Sequence, residues 1–91
     1  MAHLGNNRSE LLARVRRIAG QVAAIERELN EDLSCSEVLQ LVAGARGAIN
    51  GLMDEIIVEH LHAHVSREGL NAEERAAGAD ELMAVIRRYS K

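Results

Sequence analysis

Four side chains with sulfur or nitrogen donors stand at three places in the sequence: His3, Cys35, and the pair His60 and His64. Imidazole and thiolate are ligands for transition metals. His60 and His64 are spaced i,i+4, so on a helix both rings lie on one face and can share an ion. His62 points roughly the opposite way and is read as a bystander. Cys35 is the only cysteine. It cannot close an internal disulfide and is either a reduced buried thiol or a functional one. Placed at the start of a helix, it meets free N–H groups and a dipole that favour a thiolate.

Three elements must position these donors. Asn7–Glu10, Ser34–Glu37 and Asn71–Glu74 each pair an N-cap residue with a glutamate three positions on, the capping-box arrangement. They predict helices over about 8–29, 35–65 and 72–89. Helix 1 carries Leu11, Val15, Ile18, Val22, Ile25 and Leu29 at coiled-coil spacing. Helix 2 repeats the pattern at Val38, Val42, Ala45, Ile49, Leu52 and Ile56, and is apolar on other faces at Leu39, Leu41, Ile57 and Leu61. That places it centrally, between helix 1 and a partner chain. Gly44, Gly47, Ala48 and Gly51 cluster at its middle and would permit a close helix crossing.

Cys35 and His60 are 60 − 35 = 25 residues apart, roughly 37 Å along a straight helix. If both serve one site, they come from different chains. Two antiparallel copies of helix 2 crossing near Ala48 and Ile49 would bring Cys35 of one chain beside His60 and His64 of the other. A two-fold dimer with two intersubunit sites follows.

Composition agrees with an all-α chain. Of 91 residues, 47 % are hydrophobic, with one Tyr and no Phe, Trp or Pro, so the core is built from Ala, Leu, Ile and Val. The length fits one domain, 1–91, with a thin core that oligomerisation would complete. No apolar run approaches the length of a membrane span and no leader is evident, which predicts a cytoplasmic location. The net charge is −3, but it is unevenly placed. Residues 1–25 hold Arg8, Arg14, Arg16 and Arg17 against Glu10, a net of +3, whereas residues 26–64 hold two Arg against eight acids, a net of −6. Repeated copies of a basic first helix would form a surface for nucleic acid. Arg14 and Arg17 share a face with Gln21 one turn on, and Arg16 points elsewhere; such a cluster gives phosphate contact and little base readout. Arg46 in helix 2 would support the same surface or pair with an acid inside an oligomer.

The runs Arg14-Val-Arg-Arg-Ile-Ala-Gly-Gln21 and Arg46-Gly-Ala-Ile-Asn-Gly-Leu-Met53, with Cys35 and His60, resemble the CsoR/RcnR/FrmR family of bacterial repressors along nearly the whole chain. The resemblance implies a three-helix protomer, an antiparallel dimer, a tetramer made of two dimers, and double-stranded operator DNA bound without a helix-turn-helix. It also implies DNA release when an effector binds at the cysteine. The copper(I) sensors use a second cysteine where this chain has His64. The nickel/cobalt sensors resemble it at His3, Cys35, His60 and His64, and in them the N-terminal amine also ligates. Removal of Met1 would expose such an amine on Ala2, beside His3. Ser34 and Ala63 stand where some of those sensors carry acidic groups. The formaldehyde sensors resemble helix 1 but use an N-terminal proline where this chain has Ala2, and they typically lack a histidine at 64. One thiolate, imidazoles and an amine suit Ni(II) or Co(II), with Zn(II) also accommodated. The expectation is a metal-responsive repressor, with a formaldehyde-sensing repressor as its rival. No general base, nucleophile pair or phosphate loop suggests an enzyme; a metal-storage bundle and a purely structural coiled coil are the remaining alternatives.

Overall fold

A computed structural model describes residues 7–31 and 34–89. It contains three α-helices in chain order: α1 (Arg8–Asn30), α2 (Cys35–Leu61) and α3 (Ala72–Tyr89). A π-helical turn, His62–Ser66, continues α2. Among the described residues there is no strand, so the fold is all-α. None of the helices is long and apolar enough to cross a membrane.

The three expected caps form to different degrees. At α3 the box is complete: Asn71 N–H donates to Glu74 Oε1 at 2.9 Å, and Glu74 N–H donates to Asn71 Oδ1 at 2.7 Å. At α2 half of it forms, Glu37 N–H donating to Ser34 Oγ at 3.3 Å. At α1 the expected cap is absent. Asn7 sits at φ −113°, ψ 13° and makes no side-chain cap bond, because a capping residue needs extended backbone to aim its side chain at the first free N–H groups.

The chain's contacts divide it into two compact units, one spanning Asn6–Asp54 and the other including Glu55–Lys91. In the first, α1 and the body of α2 form an antiparallel pair. A Cβ placed on Gly51 would stand 3.3 Å from Arg14 Nη1, and one on Gly44 would stand 3.9 Å from Gln21 Nε2. Seven residues forward on α1 thus match seven residues back on α2. Gly51 therefore leaves room for the Arg14 guanidinium of the same chain, whereas a Cβ on Gly44 would meet the Gln21 amide at ordinary contact distance. Only Gly47 of the three has open space where its Cβ would be.

The expected apolar seams split lengthwise. On α1, Leu11, Ile18 and Ile25 are buried or half-buried, while Val15, Val22 and Leu29 are exposed. On α2, Val38, Ala45 and Leu52 are covered, while Val42, Ile49 and Ile56 are exposed. The physical reason is the number of neighbours. A helix with one partner buries one of its two seven-residue rows, and the second row needs another helix. Leu11 at 7 % and Ala45 at 5 % exposure are the buried apolar side chains of the described chain, against 65 % for Leu29.

Within the second unit, polar contacts tie the π turn to α3. Gly69, at φ +88°, makes the left-handed step between the π turn and α3, which costs a residue with a Cβ about 1–2 kcal/mol. The Arg75 guanidinium then reaches back from α3. Its Nη1 donates to the Val65 carbonyl and its Nη2 to the Leu70 carbonyl at 3.1 Å. Carbonyls at the end of a helix have no partner within it, and this side chain supplies one.

Candidate metal centre and nucleic-acid face

His60 and His64 lie at the end of α2, but not on the single α-helix to residue 65 that the sequence suggests. His60 is in the last α-turn, and His64 is inside the π turn. The wider turn is closed in part by Ser66 Oγ, which donates to the Leu61 carbonyl five residues back at 3.4 Å. π turns appear as single insertions in longer helices, frequently at functional sites. Here the ring centroids of His60 and His64 are 4.7 Å apart, with the planes tilted by 39°. Both residues are half-buried, whereas His62 is exposed.

His60 is also held from outside its own helix. Its Nε2 lies 3.0 Å from the Gly78 carbonyl oxygen in α3. A carbonyl only accepts, so Nε2 carries the proton, and in the neutral ring the lone pair is on Nδ1. A metal-binding histidine commonly donates its other ring N–H in this way, which fixes its tautomer and orientation. The half-buried imidazole pair, one ring with a defined free nitrogen, fits a transition metal that accepts nitrogen donors.

Cys35 is at the other end of α2, as its first residue, with its thiol exposed. His3 and the Ala2 amine lie outside the described residues. Among the described residues, no group of three or more His, Cys, Asp or Glu side chains gathers where it could hold a metal ion.

The residues expected to meet DNA divide by exposure. Arg16, Arg17 and Arg46 are exposed; Arg14 and Gln21 are half-buried, turned toward Gly51 and Gly44. The Gln21 Oε1 atom is buried with no hydrogen-bond partner among the described residues. Helical spacing sets Arg14, Arg17 and Gln21 on one side of α1, but it does not show that α2 lies beneath two of the three. Sequence reasoning also missed Gly78 and Arg75. The only signal for Gly78 is a glycine inside a helix-forming run, where it costs roughly 1 kcal/mol relative to Ala.

The chain matches the metal-sensitive transcriptional repressor family over residues 7–88. It is 42 % identical to an uncharacterized protein in the bioA 5′ region of Serratia marcescens, and 40 % identical to the transcriptional repressor RcnR of Salmonella arizonae. Both comparisons extend over 91 residues and the full length of each chain. Among solved structures it resembles a variant of the formaldehyde-responsive regulator FrmR from Salmonella enterica serovar Typhimurium that carries a glutamate-to-histidine change at its residue 64. The TM-score is 0.87 at 39 % identity, over 92 % of this chain and 94 % of that one. With a family match across nearly its whole length and end-to-end relatives, this chain belongs to the metal-sensitive transcriptional repressors.

Proposed function

We propose that this protein is a cytoplasmic nickel- or cobalt-responsive repressor, a single module over 1–91 that acts as a dimer of dimers. The metal-free form binds operator DNA through Arg14, Arg16, Arg17 and Gln21 of α1, supported by Arg46. Ni(II) or Co(II), with Zn(II) as a competitor, takes Cys35 from one protomer and His60 and His64 from its partner. His3 and the Ala2 amine join them, and ordering of the N-terminal arm favours the state that releases DNA. The required difference in metal affinity between the two states is typically about 1–3 kcal/mol per site. Release derepresses a metal efflux gene.

The observation that carries this reading is the His60–His64 pair, with ring centroids at 4.7 Å. An aldehyde-reactive thiol has no need of a second imidazole beside the first. The exposed rows Val15–Val22–Leu29 and Val42–Ile49–Ile56 support an oligomer, because apolar rows of this length normally meet another helix.

The likeness to a formaldehyde-responsive regulator favours a second reading, in which formaldehyde couples the Cys35 thiolate to the N-terminal amine. The solved relative carries histidine at its residue 64 through an introduced change, whereas this chain has His64 in its own sequence.

The test is DNA release by the reduced protein on its own promoter fragment. Ni(II), Co(II), Zn(II) and formaldehyde are titrated separately, with Co(II) absorption recorded in parallel. Release by Ni(II) or Co(II), with a thiolate-to-cobalt charge-transfer band, is the expected result. Release by formaldehyde alone would establish the second reading. His64→Glu separates the two, since metal sensing is lost and aldehyde sensing survives.

A further inference from the structure

We propose that Gly78 is the positioning residue of the histidine pair: its carbonyl sets the tautomer of His60, and its missing side chain lets α3 seat His64. This rests on the metal reading above.

Two contacts meet at this residue. The first is the hydrogen bond from His60 Nε2 to the Gly78 carbonyl at 3.0 Å, which leaves Nδ1 as the donor nitrogen. The second is steric. A Cβ on Gly78 would run into the His64 carbonyl oxygen and stand 2.7 Å from the His64 Cβ and 2.8 Å from its carbonyl carbon. Two of these three obstacles are backbone, so rotating the His64 side chain cannot relieve them. Gly78 is buried, and it lies inside α3 rather than at its end. A glycine there weakens the helix; what it permits is contact between two backbones.

The two contacts depend on each other. The carbonyl reaches His60 only while α3 lies against the turn at His64, and that approach requires the absent Cβ. A single methyl group at 78 would push α3 away from the turn, lengthen the bond to His60 and free its ring to exchange tautomers. Partners that orient a liganding histidine are typically worth about 10–100-fold in metal affinity.

The experiment has two arms on the full-length protein. In the metal-free wild type with 15N-labelled histidine, long-range 1H–15N spectra read the His60 tautomer above its titration. The protonated nitrogen is expected to be Nε2; a mixture, or a proton on Nδ1, would overturn the proposal. In Gly78→Ala, helix content is checked by circular dichroism and Co(II) binding by absorption. A helical variant with mixed tautomers and a roughly 10–100-fold loss of Co(II) affinity is expected. A helical variant with wild-type affinity and an unchanged His60 would show Gly78 to be merely structural and overturn its role. If Gly78→Ala does not fold, the wild-type tautomer decides. A wild type that has the Nε2 proton but binds no Co(II) overturns the metal reading, and the positioning role with it, while leaving the bond intact.

Discussion

At its first residue α2 presents Cys35, exposed, behind a cap of one hydrogen bond at 3.3 Å from Glu37 N–H to Ser34 Oγ. In its last turn it presents His60, bonded to α3 at 3.0 Å, with the His64 ring 4.7 Å away inside a π turn. One helix thus carries a donor open to solvent at one end and a donor pair fixed by its own chain at the other. A preorganised group loses less freedom on binding than one that must be ordered. On the proposed reading, the histidine end supplies the rigid half of an intersubunit site. The cysteine end and the N-terminal arm supply the half that metal binding must assemble, which is where an effector can change the state of the assembly.

Loss of the thiol should have the greatest consequence. Cys35→Ala should leave DNA binding by the metal-free protein intact and abolish release by Ni(II) or Co(II) in a promoter-binding titration. Metal-driven release that persists in this variant would remove Cys35 from the mechanism.

The histidine end is next. Arg75→Ala would take the guanidinium from the Val65 and Leu70 carbonyls. Hydrogen bonds from a charged donor are worth about 1.5–3 kcal/mol. A loss of roughly that size in urea unfolding, at fixed protomer concentration, is expected, together with a weaker Co(II) spectrum. A loss near zero would mean that the turn holds its shape without α3. Gly69→Ala should cost less, about 1–2 kcal/mol, through the left-handed backbone at φ +88°. Gly69→Asn should recover part of it, since asparagine tolerates that region.

What the sequence revealed and what it concealed follow the range of the forces involved. Helix 3, expected over about 72–89, is observed at Ala72–Tyr89, because Asn71 and Glu74 satisfy each other locally. Three all-α elements were legible from capping signals and periodicity. The division of each apolar seam into a covered and an exposed row was not, because which row is covered depends on how many helices surround it. The π turn was hidden for a similar reason. Its residues, His62–Ser66, read as ordinary helix formers. The contacts beside it, from Arg75 and Gly78, come from ten or more residues away. At the candidate site, the i,i+4 spacing gave the pairing of His60 with His64; the carbonyl that holds His60 has no periodic signature. The middle glycines of α2 were visible as a cluster, but their neighbours on α1, Arg14 and Gln21, were not.

The same kind of cap stands near both ends of α2, so one kind of substitution tests both. Ser34 precedes the cysteine end, and Asn71 follows the histidine end. The two caps share a spacing in sequence but differ in completeness. Asn71 makes two reciprocal bonds, at 2.9 and 2.7 Å, and Ser34 accepts one at 3.3 Å. Replacing a capping residue by Ala typically costs about 0.5–2 kcal/mol. Asn71→Ala is expected near the middle of that range, about 1 kcal/mol, and Ser34→Ala at its lower edge, about 0.5 kcal/mol. Amide exchange would locate each loss: first-turn amides of α3 for Asn71→Ala, and first-turn amides of α2 for Ser34→Ala. The more informative readout is metal binding. Fraying at Asn71 loosens the base of the helix that holds His60, so Co(II) affinity should fall with stability. Fraying at Ser34 loosens an end that the metal itself must order, so affinity should change less per unit of stability lost. Equal ratios for the two variants would mean that the ends of α2 are equally organised before metal binds, and the contrast between a rigid and an assembled half of the site would not hold.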